Sequence, residues 1–207
     1  MTKVKICGIT NPEDALYASG LGAAFIGIIF YPKSPRFVVN ETALNIVSSL
    51  PDGVIPVGVF VNPKRNEIIS AVEDTGIKAV QVHGSMDFNK LKELNIIQIR
   101  AFRINDSFDF NAIPDNEFDY TLLDNFINGQ YGGTGKTFDW KNIPPSINRA
   151  KLILAGGLKP ENVGTAIKTL KPAVVDVSSG VESSPGIKDE SKVREFFKSV
   201  ENADSGF

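Results

Sequence analysis

Eight short apolar runs, spaced fairly evenly along 207 residues, constrain this chain more than any other feature. They occupy residues 4–9, 24–30, 54–61, 79–82, 96–102, 120–123, 152–155 and 174–177. Most are apolar without alternation. A strand covered on both faces reads this way, and parallel sheets are built from such strands. Helical patterns lie between several of the runs. Asn11-Pro12-Glu13-Asp14 reads as an N-cap, a proline at the first helical position and an acidic first turn. Asn62-Pro63 repeats the device ahead of Ile68, Ile69 and Val72. Pro160 opens a helix carrying Val163, Ala166, Ile167 and Leu170, and Asp189 precedes a last one with Val193, Phe196 and Phe197 on one face. The weakest helices follow Arg103 and Trp140, where Pro114, Pro144 and Pro145 interrupt. Eight units of about 26 residues predict one α/β domain over residues 1–207, a (β/α)8 TIM barrel, with the tail 201–207 frayed. The rival architecture is an open doubly wound sheet.

Composition removes several function classes. A formal net charge of −2 gives no footprint for nucleic acid or a membrane surface, and 42% apolar residues is ordinary for a soluble chain. With one cysteine, Cys7, and one histidine, His83, neither an intrachain disulfide nor a Cys/His zinc cage can form. No leader-like apolar segment or membrane span is read, so a reduced, cytoplasmic protein is expected. The triplets Asn40-Glu41-Thr42 and Asn105-Asp106-Ser107 match glycosylation sequons and mean little without a secretory signal.

In a barrel of this kind chemistry collects where strands end and βα loops begin. Cys7-Gly8 lies near the end of the first run, Arg36 after the second, His83-Gly84 at the end of the fourth and Arg103 after the fifth. Asp124 ends the sixth, Gly156-Gly157 the seventh, and Asp176 lies in the eighth before Ser178-Ser179-Gly180. Glycines let backbone N–H groups approach an anion, so Gly156, Gly157, Ser178, Ser179 and Gly180 after strands seven and eight predict a phosphate site. Either pair alone would serve equally as a tight turn.

The segment Gly132-Gly133-Thr134-Gly135-Lys136-Thr137 is not a P-loop, because Gln130 stands where that motif needs glycine. It reads as a glycine-rich loop over the site, a mobile lid. Gly20-Leu21-Gly22 precedes a strand instead of following one and is read as a helix C-cap.

From the residues alone, the individual groups keep two readings each. Cys7 is a small buried apolar side chain or a thiolate base. Asp124 is a cap or ion-pair partner, or a general acid at a buried strand end. Arg36 is a solvated surface arginine or a bidentate grip on a carboxylate or phosphate. His83 is a satisfied strand-end histidine or an acid–base group.

Taken in order, the strand-end segments resemble those of the phosphoribosylanthranilate isomerase family. They are Lys5-Ile6-Cys7-Gly8-Ile9-Thr10, Ser34-Pro35-Arg36, Gln81-Val82-His83-Gly84, Leu123-Asp124, and Gly132-Gly133-Thr134-Gly135 with Phe138-Asp139-Trp140. Leu154-Ala155-Gly156-Gly157-Leu158 and Asp176-Val177-Ser178-Ser179-Gly180-Val181-Glu182, leading into Pro185-Gly186, complete the set. Any one segment is weak, whereas the ordered set spans nearly the whole chain. The resemblance implies an aldose–ketose isomerisation, the Amadori rearrangement of N-(5-phosphoribosyl)anthranilate in tryptophan biosynthesis, with no cofactor or metal and a small phosphorylated molecule as partner. It implies Asp124 as general acid, Cys7 as general base and Arg36 near the substrate carboxylate. Gly156, Gly157, Ser178, Ser179 and Gly180 would form the phosphate cradle, with His83 and Asp176 lining the site. The chain would act as monomer or homodimer. One departure is Ser85 after His83-Gly84, where an acidic residue is commoner in the family. The alternatives are another phosphosugar barrel enzyme or a barrel that binds a phosphorylated ligand without turnover.

Overall fold

The computed structural model describes residues 1–105, 107–114, 117–125 and 140–206. The glycine-rich segment 132–137, Phe138-Asp139 and Asp106 of the second sequon lie outside the described residues.

Eight parallel strands close into a barrel: β1 (Lys3–Cys7), β2 (Phe25–Ile29), β3 (Ile55–Val61), β4 (Ala79–His83), β5 (Ile97–Ile104), β6 (Tyr120–Asn125), β7 (Leu152–Leu154) and β8 (Val174–Val177). The strands follow chain order, and β8 pairs with β1 with Lys5 opposite Asp176. That closing pair excludes the open doubly wound sheet. Five α-helices are described: α1 (Pro12–Gly20), α2 (Asn40–Ser49), α3 (Arg65–Thr75), α4 (Pro160–Leu170) and α5 (Glu190–Asp204). A short antiparallel pair, β9 (Glu182–Ser184) and β10 (Ile187–Lys188), sits between β8 and α5.

Side chains alternate across a strand, so each strand contributes one set to the barrel interior and one to the helix-facing side. Cys7, Phe25, Val57, Val59, Ala79, Ile99, Ala101, Leu122, Ile153, Ala155 and Val174 pack together inside. Their strand neighbours Ile6, Ile26, Ile28, Leu123, Leu154, Val175 and Val177 pack outward with α4 and α5 residues such as Val163, Ile167, Val193 and Phe196. Both parities are buried, which is why the runs show no alternation in the sequence.

Several expectations are corrected by local geometry. Asn62 does not cap α3, which begins at Arg65. Asn62 instead adopts the left-handed conformation at φ 47°, which asparagine tolerates, and its Oδ1 accepts a hydrogen bond from Ser85 N at 2.7 Å. The N-terminus of α3 is tied by Glu67 Oε2, which accepts from Lys64 N at 2.6 Å. Among the described residues, the segments after Arg103 and Trp140 form only three-residue 3₁₀ turns, Phe110–Ala112, Trp140–Asn142 and Arg149–Lys151, since Pro114, Pro144 and Pro145 carry no N–H for a longer helix. The tail does not fray from Glu201. α5 continues to Asp204, whose carboxylate accepts hydrogen bonds from Thr2 N and from Thr2 Oγ1, the latter at 2.9 Å. The caps at Asn11 and Asp189 are as expected, each accepting from a backbone N–H three residues on, Asp14 N and Lys192 N. No helix among the described residues is long and apolar enough to cross a membrane.

Candidate active site at the C-terminal end of the barrel

A cavity of about 770 Å³ opens at the C-terminal ends of the strands, a volume suited to a small ligand. Its lining includes Cys7, Arg36, His83, Asp124, Gly156, Gly157, Asp176, Ser178, Ser179 and Gly180. All ten residues singled out in the sequence therefore share one cavity. Strand parity explains the convergence. Cys7, His83, Asp124 and Asp176 occupy inward positions on β1, β4, β6 and β8, so each strand aims its polar residue into the same space.

Gly156 and Gly157 have φ of 87° and 69°, values that glycine adopts without strain. The turn they make is held by Asn162 Nδ2, which donates to Gly157 O at 2.9 Å. A Cβ on Gly180 would lie 2.0 Å from the Leu158 carbonyl oxygen, so the loops after β7 and β8 touch backbone to backbone at this point. The buried hydroxyl of Ser178 lines the cavity and has no hydrogen-bond partner among the described residues.

Arg36 is not a solvated surface arginine. Its Nε and Nη2 donate to Glu182 Oε1 and Oε2 at 2.8 and 2.6 Å, and the hydrogen bonds to Glu182 raise the guanidinium pKa further. Lys188 Nζ donates to Glu182 Oε1 at 2.8 Å and to Cys7 O at 2.7 Å. Burial would push the Glu182 carboxyl up, but the Arg36 hydrogen bonds and the Lys188 charge hold it below the ordinary carboxylate value. Sequence reading did not single out Glu182 as a site residue or notice Lys188 at all, because their importance rests on contacts across most of the chain.

His83 lies on the cavity wall with its Nε2 2.9 Å from Gln81 Nε2. Burial, with Arg103, Lys5 and Arg100 nearby, lowers its pKa to about 3, so the imidazole is neutral and its Nε2 accepts from the Gln81 amide. The imidazole shifts in NMR are expected to stay flat between about pH 8 and 5, and an inflection near 6.5 would refute the assignment. The linkage has a definite sign. The unfolded chain binds this proton first, so the stability held by neutral His83 is complete above pH 6.5 and declines as pH falls from there toward 3.

Gln81, missed in the sequence, shares inward parity with His83, and its buried Oε1 has no partner among the described residues. Arg103 also lines the cavity and stands opposite Asp124 in the β5–β6 register.

Comparison with known proteins places this arrangement. The sequence profile described as N-(5'phosphoribosyl)anthranilate (PRA) isomerase matches residues 4–199. A relative from Trichlorobacter lovleyi named N-(5'-phosphoribosyl)anthranilate isomerase is 42% identical over 204 residues, covering 98% of this chain and 100% of its own. The crystal structure of phosphoribosyl anthranilate isomerase from Thermotoga maritima matches with a TM-score of 0.88 at 42% identity, covering 98% of this chain and 100% of that one. A phosphoribosyl anthranilate isomerase in complex with reduced 1-(o-carboxyphenylamino)-1-deoxyribulose 5-phosphate matches at TM-score 0.85 and 39% identity, again over 98% and 100% of the two chains. A match reaching from β1 into α5 takes in every strand of the barrel, and the chain belongs to the N-(5'-phosphoribosyl)anthranilate isomerase family.

Proposed function

We propose that this protein converts N-(5-phosphoribosyl)anthranilate to 1-(2-carboxyphenylamino)-1-deoxyribulose 5-phosphate, an Amadori rearrangement in tryptophan biosynthesis, with Asp124 as general acid and Cys7 as general base. The observation that carries the reading is the meeting of both groups with a guanidinium and a glycine-lined cradle in one cavity.

The Asp124 carboxyl gives its proton to the furanose ring oxygen, and the C–O bond breaks to leave a protonated Schiff base. The Cys7 thiolate then takes the proton from the adjacent sugar carbon. The electron pair of that C–H bond becomes the C=C bond while the C=N pair moves to nitrogen, which leaves an enolamine that tautomerises to the ketone. The reaction is redox-neutral overall and moves only protons, so it calls for no cofactor. The substrate phosphate sits on Gly156, Gly157, Ser178, Ser179 and Gly180, a role supported by the positive φ of Gly156 and Gly157 and the unpartnered Ser178 hydroxyl. His83 and Asp176 line the sugar site. Arg36 grips the anthranilate carboxylate. Glu182 takes the Nε side of the guanidinium, leaving its outer edge for the ligand.

Arg36→Ala is expected to raise KM by roughly 10–100-fold, the value of a charge-assisted hydrogen bond, with a smaller change in kcat. Steady-state kinetics check this, and an unchanged KM would remove Arg36 from carboxylate recognition. The activity itself is tested by generating phosphoribosylanthranilate in place from anthranilate and phosphoribosyl pyrophosphate and following its fluorescence. Loss faster than spontaneous hydrolysis, with the aminoketose as product, is the expected result. A folded protein that binds a product analogue without accelerating the loss would be a binding barrel instead.

A further inference from the structure

Lys5 is a lysine with no exposed surface, held inside the barrel two residues before Cys7. A buried ammonium needs compensation, and Lys5 Nζ donates to Asp176 Oδ1 at 3.0 Å across the β1–β8 register. Its charge also acts on the Cys7 sulfur. Both groups crowd over Gly27 on β2, the register partner of Cys7. A Cβ at Gly27 would lie 2.8 Å from Cys7 Sγ and 3.0 Å from Lys5 Nζ. Glycine at this position thus leaves room for sulfur and ammonium to lie side by side. Nothing in the rearrangement itself uses an interior lysine, yet the fold carries one beneath the sulfur.

We propose that Lys5 is the positioning residue of Cys7: an ammonium clamped by Asp176 inside the barrel that orients the sulfur toward the cavity and stabilises it as the thiolate base. The inference rests on Cys7 acting as the base. In this role Lys5 gives up no proton. It stays an ammonium while Cys7 cycles between thiolate and thiol, and the proton taken from the sugar carbon ends on sulfur.

The electrostatic setting agrees with the geometry. Burial holds the Cys7 thiol above its ordinary value, and the Lys5 charge is the strongest influence opposing that rise. Asp176 adds to the rise, whereas Lys188, which holds the Cys7 carbonyl from β10, opposes it. Arg36 faces the sulfur from the segment after β2, with Glu182 between it and Lys188. His83 on β4 is neutral, and Arg103 and Asp124 face across the cavity from β5 and β6. Burial lowers the Lys5 ammonium, but Asp176 and Cys7 together outweigh burial and keep it protonated.

The test uses the fact that Cys7 is the one cysteine in the chain, so alkylation on cysteine reports on it alone. The rate of iodoacetamide labelling would be followed by mass spectrometry across pH for the wild type, Lys5→Met and Lys5→Arg, with kcat and KM measured alongside. In Lys5→Met the labelling midpoint is expected to rise by about one pH unit or more, and kcat to fall by about 10²-fold with KM little changed. Lys5→Arg, which keeps the charge, is expected to restore much of both. If Lys5→Met fails to fold because Asp176 is stranded, Lys5→Met/Asp176→Asn removes both charges and is expected to show a smaller shift in the same direction. A folded variant whose labelling midpoint matches the wild type overturns the proposal and leaves Lys5 a structural ion pair. A raised midpoint with undiminished turnover upholds the link between Lys5 and Cys7 and instead removes Cys7 from the role of base.

Discussion

Cys7→Ala and Asp124→Asn are each expected to lower turnover by about 10²–10⁴-fold, the span associated with losing a general acid or base. The two groups do different work, so the variants should fail differently. Without the Asp124 proton the furanose ring opens slowly, and without the Cys7 thiolate the opened Schiff base cannot lose its carbon-bound proton. Hydrogen–deuterium exchange at the sugar carbon next to the imine should therefore stop in Cys7→Ala. The two residues stand on β1 and β6, separated round the barrel by β7 and β8, and both open on one cavity. Cys7→Ala removes one sulfur and Asp124→Asn one ionisable proton, while the surrounding interior of Phe25, Leu122 and Ile153 stays packed, so thermal stability should change little. Near-normal turnover in either variant would overturn its assigned role.

Glu182→Ala is expected to destabilise the fold by about 3 kcal/mol, at the lower end for breaking a buried ion pair because the cluster borders an open cavity. Glu182 is 8% exposed and is the shared partner of Arg36 and Lys188, so its removal strands one ammonium and frees one guanidinium. Among the described residues, Lys188 would keep only carbonyl partners, Cys7 O and Ser178 O. Arg36 would lose the contacts that fix its outer edge toward the cavity, so KM should rise as well. Denaturant unfolding and steady-state kinetics read the two effects separately. Unchanged stability would mean that Glu182 is not the keystone of the cluster. The same group predicts acid sensitivity. Its carboxyl is held below the ordinary value of 4.5, so its contribution is complete above that pH and is lost as pH falls through the lowered value.

The strands were legible because burial on both faces leaves a continuous apolar signature, and their ends were legible because polar residues interrupt it abruptly. Helix starts at Pro12, Pro160 and Glu190 followed from local cap chemistry that needs only a few neighbours. Asn62 was misread because the same Asn-Pro pair can cap a helix or turn a chain. In the fold it turns the chain, and its Oδ1 accepts from Ser85 N, 23 residues away.

Periodicity and punctuation in the sequence by itself determined eight buried strands and a cluster of reactive groups at one end. Only the tertiary structure decided which of those groups touch. Lys5 meets Asp176 across 171 residues, Arg36 meets Glu182 across 146, and Lys188 reaches the Cys7 carbonyl across 181. Those separations become contacts because β8 closes against β1, and no local propensity encodes which residues will face one another across that seam.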